Sequence, residues 1–147
     1  MPKKPKRKLP LLERQKEFIF KELSTFQPVH SKDFCAIGNV RQALGKIIHH
    51  LKHFRAYAKL GAELYSGAIF YGPPGTGKTT SAQFLATESG AGFVDVNEFP
   101  YDKTESDTLT RKDVHSLFAF SREYVGLKKK PLVLFWEQFD AFLKDAS

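Results

Sequence analysis

The amino-acid sequence predicts an α/β domain in which helices flank a parallel β-sheet. Three short apolar runs, at 68–71, 93–96 and 132–136, have the length and composition of strands, and helix-like segments separate them. The last run holds five consecutive apolar residues, which is typical of a strand covered on both faces. With 147 residues, the chain is long enough for one domain with a hydrophobic core.

The N-terminal tail, residues 1–10, is predicted to be disordered. It places five lysines and arginines among three prolines and can bury almost nothing. The net charge of +7 is concentrated in the N-terminal third of the chain, which suggests an anionic partner such as nucleic acid or a membrane surface. For residues 1–10 themselves the preferred interpretation is a solvated tail without a partner.

Composition also bears on where the protein is found. The tail lacks the apolar core of a secretory signal, and no run approaches the ~18 apolar residues of a membrane span. The single cysteine, Cys35, excludes an intrachain disulfide and favours a reducing compartment. We therefore expect a soluble, intracellular protein without a membrane span, in the cytoplasm.

Residues 11–33 are predicted to form an N-terminal helix and a linker. Apolar residues recur among charged ones from Leu11 to Leu23, and Pro28 lies in the polar stretch that follows. A longer amphipathic helix is predicted from Val40 to Leu60, ended by Gly61.

A glycine-rich loop follows the first apolar run. Glycines at 72, 75 and 77 allow backbone conformations in which successive N–H groups point toward one anion. Lys78 begins a helix predicted to reach about Ser89, whose positive N-terminal end favours phosphate. The pattern GxxxxGK(S/T) predicts a phosphate-binding P-loop in which Thr79 ligates Mg²⁺. The predicted nucleotide-binding residues of the loop are Gly72, Pro73, Pro74, Gly75, Thr76, Gly77, Lys78, Thr79 and Thr80.

The second half of the chain repeats the alternation of strand and helix. After the strand-like run at 93–96 comes an irregular polar stretch, 97–108. Thr110 and Asp113 then resemble a capping box that opens a helix. The residues of this helix predicted to face inward are Val114, Leu117, Phe118 and Val125.

Two segments of the chain together resemble the core of the AAA ATPases. Phe70 to Thr79 is similar to the P-loop of that family, and Leu134 to Ala141 is similar to its second acidic motif. The resemblance covers about Phe34 to Ala146 and points to the membrane-protease and Cdc48-like branch. It implies a P-loop NTPase fold with ATP and Mg²⁺ as cofactors, and AAA-type subunits, of this chain or another, as partners. By the same analogy residues 34–147 are a partial ATP-binding domain in which Ile37 and Gly38 flank the adenine, although Ala36 replaces the usual aspartate.

The second acidic motif departs from the family pattern. Aligned with the family, Glu137 takes the place of the magnesium-side aspartate, and Gln138 takes the place of the glutamate that activates water. An amide cannot accept a proton from water at a useful pKa, so we expect this chain to bind ATP and hydrolyse it weakly. Two alternatives stay open: Glu137 itself acts as the base, or the chain is an inactive scaffold subunit that docks with active AAA partners.

The resemblance is also incomplete elsewhere. Where AAA unfoldases grip substrate in a central pore, this chain has Phe99-Pro100-Tyr101 followed by acidic and hydroxyl residues, so threading of substrate is not supported. The sensor strand, the arginine fingers and the helical lid of the family lie beyond the second motif, so an incomplete core with three strands and no lid domain is expected. In the family the sensor strand lies between the P-loop strand and the strand at 132–136. The expectation is therefore a fragment of a longer protein, a core completed by a partner, or a re-paired sheet. No HExxH motif is present, so peptidase activity is not inferred.

Overall fold

The computed structural model describes residues 9–63 and 66–139. The elements in chain order are α1 (Leu11–Phe20), α2 (Gly38–Lys52), α3 (Phe54–Lys59), α4 (Lys78–Ser89), β1 (Gly92–Asp95), a 3-10 turn (Val96–Glu98), α5 (Arg111–Lys128) and β2 (Leu132–Phe135). The predicted tail lies, except for its last two residues, outside the described residues. Among the described helices, none combines the length and the apolar character that crossing a bilayer requires.

A small parallel sheet forms the centre of the fold. β1 and β2 pair in parallel, with Gly92 opposite Leu132 and Asp95 opposite Phe135, and α5 is the crossover between them. On one face Val94 packs with residues of α1 and α5. On the other face Phe93 and Phe135 pack with Ala82 and Ala86 of α4. Helices therefore cover both faces of a parallel sheet, which confirms the predicted α/β class.

The third strand predicted at 68–71 is not formed in the described part of the chain. The sheet there has two strands, and the segment that leads into the P-loop carries no strand assignment. Phe70 is partly buried and packs against the cluster that holds Ala82, Phe93 and Phe135, whereas Ile69 and Tyr71 are 88% and 92% exposed. A strand requires a neighbouring backbone with which to form ladder bonds, and among the described residues the ladder joins β1 to β2.

Helix α1 packs on the domain through both apolar and polar contacts. Phe18 and Ile19 are buried, and the Phe18 ring meets Phe99 edge to face with centroids 5.9 Å apart. The buried Gln15 amide donates to Asp113 Oδ1 at 2.7 Å and to the Pro100 carbonyl at 2.9 Å. These bonds join α1 to the loop after β1 and to the first turn of α5.

The stretch predicted as a linker, after α1, is held on the domain by hydrogen bonds and by a ring contact. Ser24 Oγ accepts from the Asp95 amide at 2.7 Å, and the Val29 amide donates to Thr87 Oγ1 at 3.1 Å. The Phe26 ring stacks on Phe93 with centroids 4.9 Å apart. Polar composition predicts the absence of a helix or strand here, but it does not predict mobility.

Two details of the predicted helices are wrong. The helix predicted from 40 to 60 is divided at His53 into α2 and α3, although no proline or glycine lies at the break. Phe118, predicted to face inward, is 45% exposed, whereas Leu117 and Tyr124 are buried.

The predicted capping box is present: Thr110 Oγ1 accepts from the Asp113 amide, and the Asp113 carboxylate accepts from the Thr110 amide.

Candidate nucleotide-binding site

The P-loop has the backbone conformation that its glycines were expected to provide. Gly72, Gly75 and Gly77 have φ values of 151°, 77° and 83°, a region that side chains with a Cβ rarely enter. A Cβ at Gly72 would also lie 3.2 Å from Thr76 Oγ1. Gly77 is the residue immediately before α4, so the loop leads directly into the N-terminal end of a 12-residue helix.

Side chains of the loop and of α4 fix its shape. Thr76 Oγ1 donates to the Pro73 carbonyl at 2.8 Å across the turn. Ser81 Oγ donates to the Gly77 carbonyl at 2.8 Å, and the Ser81 amide donates to the same oxygen at 2.8 Å. Ser81 was not among the predicted site residues. Its place four residues after the last loop glycine is a usable signal, because serine in a helix often donates to the carbonyl at i−4.

Lys78 lies on the loop carbonyls. Its ammonium donates to the Gly72 carbonyl at 3.0 Å and to the Pro73 carbonyl at 2.8 Å. Both acceptors are exposed loop groups, and the loop from 71 to 76 is exposed. An incoming phosphate would therefore replace two carbonyl acceptors of the ammonium, and it would not have to open a closed pocket.

The second acidic motif reaches the same corner of the fold. β2 ends at Phe135, and two residues later Glu137 accepts a hydrogen bond from Thr79 Oγ1 at 3.4 Å. Thr79 and Glu137 are 58 positions apart in the sequence and belong to different elements. A hydroxyl and a carboxylate oxygen are ligands that Mg²⁺ accepts, so these two side chains fit a magnesium site that substrate phosphates and water would complete.

Gln138 and the remaining predicted residues lie around this corner. Gln138 is exposed and has a φ of 54°, a left-handed conformation uncommon for a residue with a Cβ. Asp140 and Ala141, which set the alignment of the motif, lie outside the described residues. Pro74 and Thr80 are exposed.

The turn predicted to flank adenine is connected to α4 through its neighbour. Ile37 is the residue before α2 and is 79% exposed, and Gly38 is the first residue of that helix. The Phe34 ring stacks on Phe84 of α4 with centroids 4.0 Å apart. This stack holds the turn against the helix that begins at the P-loop, and it leaves the Ile37 side chain available to a ligand.

The segment in the position of the family's pore loop is tied to the protein itself. Phe99 is 1% exposed, and the Tyr101 hydroxyl donates to the Asp107 carbonyl at 2.9 Å. Both aromatic side chains of this segment are therefore engaged by the chain itself.

Comparison with known proteins gives the family. Residues 68–147 match the model of the ATPase family associated with various cellular activities (AAA). The ATP-dependent zinc metalloprotease FtsH 3 of Symbiobacterium thermophilum is 32% identical over 109 residues, which are 74% of this chain and 16% of that protein. The FtsH of Ureaplasma parvum is 31% identical over 116 residues, 79% of this chain and 15% of the relative.

A eukaryotic relative gives the same result. The mitochondrial inner membrane i-AAA protease supercomplex subunit YME1 of Saccharomyces cerevisiae is 32% identical over 109 residues, 74% of this chain and 14% of that protein. The chain thus spans about a sixth of the length of these relatives. The family match includes the P-loop and the second acidic motif, and it confirms the resemblance that those two motifs carry. The chain belongs to the AAA family of ATPases and is similar to the ATPase region of FtsH-type proteases.

Proposed function

We propose that this chain binds ATP·Mg²⁺ and hydrolyses it weakly. One observation supports this proposal above all. The P-loop, whose glycines have positive φ, leads into the N-terminal end of α4, and Thr79 in the first turn of that helix donates a hydrogen bond to Glu137 of the second acidic motif. Family membership supports ATP as the nucleotide. The proposal assigns a separate task to each of these groups.

The phosphates would be held by main-chain amides and by Lys78. The first amides of a helix have no intrahelical acceptor, and those of α4 lie at the end of the helix that begins with Lys78 and follows the P-loop. A triphosphate offers charged acceptors, which form stronger hydrogen bonds than the neutral carbonyls that Lys78 now contacts. Binding is therefore favoured although the ammonium is already hydrogen-bonded.

Magnesium would be held by the Thr79 hydroxyl and the Glu137 carboxylate. When bound, Mg²⁺ neutralises charge on the phosphates and lowers the barrier for attack by water. In the described residues there is no cluster of three or more histidine, cysteine or acidic side chains that could hold a metal alone. The site thus fits a cation that arrives with the nucleotide, which is the usual mode for Mg²⁺.

Weak hydrolysis follows from the residue at position 138. Gln138 would stand where the family has a glutamate, and its neutral amide can orient water but cannot take a proton from it. Glu137 is hydrogen-bonded to Thr79 and is committed to the metal in this scheme. The loss of a general base lowers the rate by ~10² to 10⁴.

A turnover assay tests the assignment of these two residues. We expect Gln138→Glu to raise the ATP hydrolysis rate at least roughly 100-fold over the natural chain. We expect Glu137→Gln to weaken the Mg²⁺ dependence of nucleotide binding. If the natural chain already hydrolyses ATP as fast as Gln138→Glu, then Glu137 or another group is the base and the weak-hydrolysis proposal is wrong.

A second candidate function is an interaction subunit that docks with AAA-type partners. The exposed apolar side chains of Ile69 and Tyr71, next to the P-loop, favour it, because large apolar groups side by side often mark contact surfaces. A scaffold should keep its self-association, measured by sedimentation, in Lys78→Met. An ATP-dependent subunit should lose self-association together with nucleotide binding.

A further inference from the structure

A cationic cleft lies at the opposite end of α4 from the P-loop. It has a volume of about 460 Å³ and opens where the junction of α2 and α3 meets the C-terminal end of α4 and the residues before β2. Its basic lining residues are Lys52, His53, Arg55, Lys129 and Lys130. Within the described part of the chain, no aspartate or glutamate lines it.

The charge of the cleft comes from two segments distant in sequence. Residues 34–62 hold five lysines and arginines without a single acidic residue, and residues 126–136 hold three lysines without one. Arg55 joins the two walls, since its guanidinium donates to the Lys129 carbonyl. The fold therefore brings together basic side chains from two segments that are far apart in the sequence.

Three of these basic side chains have no carboxylate partner among the described residues. Within residues 9–63 and 66–139, the structure gives Lys52, Arg55 and Lys129 no ion pair, whereas Lys130 pairs with Glu22 at 3.2 Å. The C-terminal end of α4 is an unfavourable neighbour for an anion. Two of its last four carbonyls are satisfied, however, since the Gly90 and Ala91 amides donate to the Thr87 and Ala86 carbonyls.

We propose that this cationic cleft binds single-stranded nucleic acid through its phosphates. A concave groove with cations on both walls suits a flexible chain of phosphates, while a flat bilayer cannot enter it. Two rings of the cleft add planar surfaces on which a base can stack. The Phe54 ring is half-buried in the wall, with the Arg55 guanidinium carbon 5.7 Å from its centroid, and the His53 ring is exposed. The large apolar groups of the lining, Leu51, Phe54 and Pro131, are only half-exposed, so the cleft has no protruding wedge for a lipid surface.

Fluorescence anisotropy of a labelled 20-nucleotide oligo(dT) or oligo(U), with the full chain, tests the proposal. Three phosphate contacts on a single strand give a slope of log K against log [salt] of about −2. The affinity should then fall roughly 20-fold between 50 and 200 mM salt. It should be unchanged in Lys78→Met, which separates this cleft from the proposed nucleotide site.

Charge-reversal variants locate the binding. Lys52→Glu with Lys129→Glu should lower the affinity at 50 mM salt at least roughly tenfold and reduce the salt slope. Lys103→Glu with Lys112→Glu is the matched control, since it changes the net charge equally at two exposed positions outside the cleft lining. It should change the affinity less than about threefold. If the cleft variant does not fold, as judged by far-UV circular dichroism, the pair of glutamine substitutions takes its place.

Several outcomes would overturn the proposal. Equal losses in the cleft and control variants would mean attraction to net charge alone. Abolition of binding by deletion of residues 1–8, with no effect of the cleft variant, would assign binding to the basic tail. Absence of oligonucleotide binding at 50 mM salt would also refute the proposal. If the chain then cosedimented with phosphatidylserine vesicles, its anionic partner would be a membrane surface.

Discussion

Replacement of Gly92 by alanine should destabilise the domain. A Cβ at Gly92 would lie 2.7 Å from the Tyr124 hydroxyl oxygen, 2.8 Å from Leu132 Cδ1 and 3.2 Å from Glu22 Cδ. Separations below 3.0 Å force one of the neighbours to move. Tyr124 is 1% exposed and donates to Glu22, so its ring has little freedom to move.

The size of the effect follows from three contributions. Overpacking of a tight core costs about 1–3 kcal/mol. Distortion of the Tyr124–Glu22 bond adds up to about 1.5 kcal/mol, because a distorted bond loses only part of the roughly 1.5–3 kcal/mol of a hydrogen bond to a charged group. Loss of glycine's freedom in the unfolded chain returns about 0.5–1 kcal/mol. The net destabilisation is about 2 kcal/mol, which lowers the melting temperature by roughly 6 °C in a domain of this size.

Gly126→Ala is the matched control in the same layer of the fold. Gly126 lies in α5, and no atom lies within 4 Å of a Cβ added there. Alanine in a helix is favoured over glycine by roughly 0.5–1 kcal/mol, so this variant should melt about 2 °C higher. Thermal denaturation followed by circular dichroism measures both variants. Shifts of the same sign, or no loss of stability in Gly92→Ala, would refute the packing argument at the β1–α5 contact.

Three further predictions concern the nucleotide site, the attachment of α1 and alkaline pH. Lys78→Met should weaken ATP·Mg²⁺ binding roughly 10- to 150-fold by calorimetry, since a charged hydrogen bond is worth about 1.5–3 kcal/mol; an unchanged affinity would contradict this. Gln15→Leu should lower the unfolding free energy by about 2 kcal/mol in urea, because it leaves the buried Asp113 carboxylate without one of its donors, whereas no loss would mean that α1 is held by apolar contacts alone. Burial raises the pKa of Tyr124 above its usual range, and the Glu22 carboxylate that accepts a hydrogen bond from its hydroxyl raises it further. The stability that the neutral phenol provides is thus fully present below pH ~10 and is lost as the pH rises further. The melting temperature of the natural chain should therefore decline above pH ~10, and Tyr124→Phe should make this decline less steep. An equally steep decline in Tyr124→Phe would exclude Tyr124 as its cause.

Features that depend on local sequence were predictable. The P-loop glycines need positive φ wherever the loop occurs, and Gly72, Gly75 and Gly77 have it. The Thr110–Asp113 capping box involves residues three positions apart, and it forms as predicted. The helix from Lys78 to Ser89 begins and ends at predicted residues, since Gly77 and Gly90 both adopt left-handed conformations beside it.

Features that depend on distant partners were not predictable. Gln15 and Asp113 are 98 positions apart, and neither residue alone indicates that α1 docks on α5. The run at 68–71 has the composition of a strand, but a strand also needs a backbone neighbour, and composition does not show whether one is present. The helical spacing of apolar residues placed Phe118 on the inward face of α5, but the buried residues on that face include Leu117, Ser121 and Tyr124.

Melting of the full chain with and without ATP·Mg²⁺ tests the central claim most directly. A ligand at 100 times its dissociation constant stabilises the folded state by about 2.7 kcal/mol, which corresponds to a rise of roughly 8 °C. We expect this rise for the natural chain and a much smaller one for Lys78→Met. A folded chain whose melting temperature does not change at millimolar ATP·Mg²⁺ would contradict the assignment of the loop at 72–80 as a triphosphate site.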